Sequence, residues 1–197
     1  SFVEGEAAGC YPEGLDRFSR LVFLVNPGVV FVVDDIRAGN DVLPEWIYHV
    51  DKANKVTTDA AGFTSEGKSL LMVVRLTFPE AMSASSSKDK RVISSETLSV
   101  SSSESKLNIG VRFTPSKKAA AWRSLAAVVA TPLAGRPLIA APSDSSLIVD
   151  TGGATVFAAV AGDDGAFDAD GKLTGSGAAA VATVDNGRRG FVAVDST

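Results

Sequence analysis

The chain has 197 residues, 45% apolar and 21% charged, with a net charge of −4 and a pI of about 5.0. A chain of this length is long enough for one domain burying roughly 70% of its unfolded surface, and no basic cluster is denser than Lys117-Lys118 or Arg188-Arg189. Nucleic acid, which needs a concentrated positive face, is therefore not an expected partner, and no apolar stretch is long enough to span a bilayer.

Cys10 is the single cysteine, which excludes an internal disulfide and a thiolate metal site. The opening SFVEGEAAGCYPEG has neither a basic region nor an apolar core, so it is not a signal peptide, and there is no initiator Met. The chain reads as a piece of a longer protein.

Residues 18–36, FSRLVFLVNPGVVFVVDDI, contain two apolar runs joined by Asn26-Pro27-Gly28. Pro27 has its φ set for the second place of a tight turn, and Gly28 accepts positive φ at the third. The flanks, 21–25 and 29–33, are β-branched and aromatic without helical spacing, which predicts a β-hairpin. Both faces are apolar, so the hairpin is expected between other layers rather than at an edge. Leu21, Phe23, Val30 and Val32 are expected among its most buried side chains. Asp34-Asp35 cannot flank one scissile bond, because neighbours in a strand point to opposite faces. One of them is expected to pair with Arg20 or Arg37, the other to be solvated.

Residues 45–57, EWIYHVDKANKVT, alternate, with Trp46, Tyr48 and Val50 on one face and Ile47, His49 and Asp51 on the other. Trp46 and Tyr48 are candidate sugar-stacking groups and His49 a candidate substrate contact. Against this stands the reading of Trp46 and Tyr48 as core aromatics and of His49 as a half-exposed structural residue. Residues 69–78, SLLMVVRLTF, predict a strand ended by Pro79. Residues 83–105 hold 11 serines, which fits either a linker or polar edge strands with Val92, Ile93, Leu98 and Val100 facing inward. LNIGVRFT at 107–114 alternates again. AAAWRSLAAVVAT offers a helical stripe of Trp122, Leu125, Ala126 and Val129. Its β-branched end before Pro132 and its strand neighbours favour a strand over 119–131.

From residue 137 short strands are predicted at 138–140, 147–149, 155–160, 178–184 and 190–194, separated by acid–Gly and Gly–Gly turn signals. Asp163, Asp164, Asp168 and Asp170 invite a Ca²⁺ reading, but the run lacks the EF-hand spacing, and acid–Gly pairs are ordinary hairpin residues. His49 is the only histidine, so no metal site is expected. No catalytic residue is assigned, since a triad needs this histidine and no G-x-S-x-G accompanies it. No cofactor is expected, because the glycines form neither a G-x-G-x-x-G nor a P-loop pattern. The fold class is all-β, a large antiparallel β-sandwich forming a single domain over 1–197.

The order Val3-Glu4-Gly5-Glu6-Ala7, Tyr11, Arg20, Asn26-Pro27-Gly28, Val32-Val33-Asp34-Asp35, then Trp46-Ile47-Tyr48-His49 resembles the C-terminal β-sandwich of heparinase II/III-like polysaccharide lyases. There a G-D/E-A…Y…R-x-V-x-F-L…V-V-V-D order recurs. The resemblance covers about the first 80 residues and is absent from the serine tract. It implies a supersandwich-like C-terminal fragment of a secreted or periplasmic bacterial enzyme. It also implies an upstream α-toroid and an acidic polysaccharide substrate cleaved by β-elimination. The family's catalytic and metal-binding groups would lie upstream of Ser1, and none is carried over. The competing reading is a stand-alone carbohydrate-binding or cell-surface adhesion sandwich.

Overall fold

The structure is a computed structural model that describes residues 1–11, 14–25, 28–59, 61–77, 98–104, 108–115, 117–161, 166–185 and 188–194. The strands in chain order are β1 (Phe2–Glu6), β2 (Leu15–Val25), β3 (Val29–Val42), β4 (Trp46–Asp51), β5 (Lys55–Asp59), β6 (Gly62–Glu66), β7 (Leu70–Thr77), β8 (Leu98–Glu104) and β9 (Asn108–Pro115). They continue as β10 (Ala119–Pro132), β11 (Leu138–Ser143), β12 (Ser146–Asp150), β13 (Ala154–Val160), β14 (Ala166–Ala169), β15 (Leu173–Ser176), β16 (Ala179–Asp185) and β17 (Arg188–Val194). Among the described residues the only helix is a 3₁₀ turn at Ala8–Cys10.

The strands form four antiparallel sheets. A seven-stranded sheet runs β1-β2-β3-β10-β7-β6-β5, a five-stranded sheet β11-β12-β13-β16-β17, a three-stranded sheet β4-β9-β8, and β14-β15 form a separate hairpin. Three apolar clusters join them in a stack. Leu21, Phe23, Phe31, Val33, Leu125, Ala127 and Val129 of the seven-stranded sheet meet Leu147, Val149, Val156, Ala158 and Val181 of the five-stranded sheet. On the opposite face Ile36, Phe63, Val74, Trp122 and Ala126 meet Trp46, Val50, Val111 and Phe113 of the three-stranded sheet. Phe157, Ala159 and Ala180, on the far face of the five-stranded sheet, lie under Phe167, Ala169 and Leu173 of the hairpin.

This layering explains the sequence of β10. Its odd-numbered residues, Leu125, Ala127 and Val129, enter one core, and even-numbered Trp122 and Ala126 enter the other. A strand covered on both faces reads as a continuous apolar run, so its periodicity resembles that of a buried helix. β10 is a strand, as its branched end before Pro132 suggests. The hairpin β2–β3 is likewise interior, flanked in its sheet by β1 and β10 and covered on both faces.

The register differs from expectation in one respect. Val25 pairs with Val29 and Phe23 with Phe31, so the loop has three residues. A four-residue turn centred on Pro27-Gly28 would have paired Phe23 with Val32. Because the side-chain period is two, a one-residue slip moves a whole strand to the other face. Val29, Phe31 and Val33 are therefore the most buried, whereas Val30 and Val32 are only partly so. Gly28 has φ +78°, and a Cβ there would run into the carbonyl oxygen of Ala130. Asn26 and Pro27 lie outside the described residues.

The later strands fall where the turn signals place them, with one addition: β14–β15 occupies the acid-rich stretch. Residues 98–104 of the serine tract form β8, which pairs with β9. The remainder of the tract, with Val92 and Ile93, lies outside the described residues.

Candidate functional site

The hairpin register sets Arg20 on β2 directly opposite Asp34 on β3. Both belong to the face that looks toward the three-stranded sheet. Asp34 is 1% exposed, and a carboxylate so placed is tolerable only when paired and hydrogen-bonded. Arg20 Nε donates to Asp34 Oδ1 at 2.6 Å and its Nη2 to Oδ2 at 2.8 Å, a bidentate, charge-assisted pair. Trp46 Nε1, arriving from β4, donates to Oδ2 at 2.6 Å. One buried carboxylate thus ties the two sheets together. Its hydrogen bond raises the Arg20 pKa further above the ordinary value, against the opposing effect of burial.

Aromatic rings surround this pair. The Arg20 guanidinium sits 5.5 Å from the Phe18 ring centroid, and Tyr11 packs on Phe18 at 5.6 Å. Tyr48 packs on Phe63 and Phe113 at 5.8 and 5.6 Å. Burial pushes the Tyr48 phenol well above the usual tyrosine range; the Asp34 charge adds to this and Arg20 opposes it. Tyr11, Phe18, Arg20, Trp46 and Tyr48 line a cleft of about 630 Å³ between β2–β3 and β4, with Leu43, Glu45 and Ile47 at its exposed edge.

Of the sequence-derived candidates, Trp46 and Tyr48 meet in this cleft and His49 does not. Trp46 is 5% exposed, with its indole N–H committed to Asp34, so it forms the floor rather than a solvent-facing platform. Tyr48 is half-buried in the ring cluster. His49 is exposed on the opposite face of β4, beside Gly110 of β9. Tyr11, Phe18 and Arg20 were not among the expected site residues. The register of a three-residue hairpin loop would have placed Arg20 opposite Asp34 and pointed to them.

Asp35 faces the other way and is not solvated. Its side chain is 18% exposed and lies 3.4–3.8 Å from Arg17, Arg37 and Arg123. In the acid-rich stretch, Asp168 Oδ1 accepts from the Gly171 N–H at 2.6 Å and Asp170 pairs with Lys172 at 3.1 Å. Those described carboxylates serve the turn, and Asp163 and Asp164 lie outside the described residues. Among the described residues no group of three or more His, Cys, Asp or Glu could hold a metal ion, and no helix is long and apolar enough to cross a membrane.

Solved structures similar in fold include a heparinase III with methylated lysines, with a TM-score of 0.58 and 12% identity over 99% of this chain and 25% of that one. A second heparinase III crystal structure matches with a TM-score of 0.56 and 15% identity, again over 99% of this chain and 25% of that one. A mutant heparan sulfate lyase from Pedobacter heparinus matches with a TM-score of 0.51 and 13% identity over 93% of this chain and 24% of that one. The chain has a heparinase III-like β-fold. It spans about a quarter of the length of the heparinase III structures it matches. No family model matches the sequence, and no curated protein does. At this identity the heparinase III likeness is one of backbone architecture, and it extends over strands in which the sequence resemblance is absent.

Proposed function

We propose that the chain is a single, non-catalytic, C-terminal β-sandwich domain of a heparinase-like lyase that cleaves acidic polysaccharides by β-elimination. The observation that supports this reading best is the heparinase III-like fold over 99% of the chain but only 25% of the matched chains. β-Elimination needs a base for the proton next to the uronate carboxylate and an acid for the leaving oxygen, both within hydrogen-bond reach of the substrate. The one histidine, His49, lies on the opposite strand face from Tyr48, so those two cannot form such a pair. The acid and base belong to an upstream α-toroid and the strands that follow it, and the enzyme works outside the cytoplasm, where such polymers are found.

The test is to express the longer gene product and follow the unsaturated uronate formed from heparan sulfate, hyaluronan and alginate. Turnover of at least one polymer is expected. An upstream region encoding another β-module or a stalk, with no turnover, would overturn this reading in favour of a stand-alone glycan-binding or adhesion sandwich.

A further inference from the structure

We propose that the cleft between β2–β3 and β4 is a binding site for one uronic acid unit of a glycan. The sugar ring lies against Tyr11, and its carboxylate is held by Arg20. The choice of an acidic glycan rests on the function proposed above; the geometry of the site does not.

Arg20 presents five N–H donors in a planar fork, and Asp34 engages two of them. The other three belong to a side chain that is 48% exposed and fixed by a partner that is 1% exposed. A guanidinium held in one orientation is a preorganised receptor for a planar acceptor, and a carboxylate fits it better than a hydroxyl does. Tyr11 supplies an aromatic surface, 49% exposed and held against Phe18. An amphipathic ring with an apolar C–H face and an oxygen-bearing edge matches that combination of aromatic wall and fixed donor. Tyr48, neutral at working pH as any tyrosine is, lines the cleft without adding a competing charge. Asp34 offsets the Arg20 charge, so recognition depends on the donor geometry more than on long-range attraction.

The two tryptophans make the site readable. Trp46 Nε1 shares Asp34 with Arg20, whereas Trp122 Nε1 donates to the carbonyls of Val42 and Ala119. The purified chain is titrated with tetrasaccharides of hyaluronan and heparan sulfate and, as a neutral control, cellotetraose. Affinity is measured by calorimetry and the indole N–H signals by NMR. The uronate oligosaccharides are expected to bind and to move the Trp46 signal more than that of Trp122, while cellotetraose binds at least about tenfold more weakly. Tyr11→Ala, at a half-exposed position and with its denaturation midpoint measured alongside, is expected to weaken uronate binding about tenfold. Arg20→Lys, which keeps the charge but loses the fork, is expected to abolish the preference for acidic over neutral sugar.

Equal binding of cellotetraose, binding indifferent to Tyr11→Ala, or no binding of any probe would overturn the proposal. If the longer gene product is a lyase and this chain binds no uronate, the cleft assignment fails alone. If the chain binds uronates and the longer product is no lyase, the functional reading fails and the site stands.

Discussion

The two faces of the seven-stranded sheet are made from alternate residues of the same strands, and they differ in kind. The face toward the five-stranded sheet has a purely apolar centre, where Phe23, Val29, Phe31, Leu125 and Ala127 are all nearly inaccessible, and it carries its charges, Asp35 with Arg17, Arg37 and Arg123, away from that centre. The face toward the three-stranded sheet is also well packed around Phe63 and Phe113, but it admits Asp34, Arg20 and a cleft. An apolar core is sensitive above all to lost volume. An interface with a buried ion pair is tolerant of neither lost partner, and for that reason holds one geometry. The first face is held chiefly by apolar volume, and the second adds a buried ion pair beside a cleft.

The largest expected effect lies on the first face. Phe23→Ala removes a ring that is 1% exposed and should cost about 3–5 kcal/mol, read as a lower denaturation midpoint. An unchanged midpoint would break the contrast. On the other face, Arg20→Met leaves Asp34 buried without its cation. Because Arg20 is half exposed, the expected cost is smaller, about 2 kcal/mol. The double variant with Asp34→Leu should recover part of that loss, since it removes the uncompensated charge, while the buried Trp46 N–H loses its Asp34 acceptor.

At the hairpin tip, Gly28→Val should cost more than about 1 kcal/mol, from positive φ and from the close approach of Ala130 together. Tyr48→Phe should change little at neutral pH. The raised Tyr48 pKa stabilises the fold fully below about pH 10, the unfolded value, and this contribution is lost as pH rises further. The variant should therefore unfold less steeply with alkali than the parent. The smallest effect is at Glu6, whose pKa is lowered by hydrogen bonds from the Ala8 and Phe18 amides. Glu6→Gln should lose a slight stabilisation that the parent shows above the unfolded carboxylate pKa and loses as pH falls below it.

The all-β class, the interior hairpin and most strand positions were legible because alternation and turn residues are local signals. β10 was harder, since burial on both faces erases alternation. The Val30 and Val32 error arose from loop length, which composition does not set: Asn26-Pro27-Gly28 fits either register, and one residue decides the face. β14 and β15 were missed because four-residue strands such as AFDA and LTGS carry few branched or aromatic residues. The candidate site was half legible. Trp46 and Tyr48 stood out as aromatics, but their relation to Arg20 depends on the meeting of two sheets, and no local pattern encodes that. His49 drew notice as a rare residue type, and the alternation of β4 sends it to the opposite face.

Under the function and the site proposed above, this chain holds a glycan without cleaving it. The most direct measurement is to incubate the purified chain with heparan sulfate, hyaluronan and alginate and follow unsaturated uronate formation. Product at background level is expected for all three polymers. Turnover above background that disappears in His49→Ala would overturn the non-catalytic reading and make the chain an enzyme in its own right.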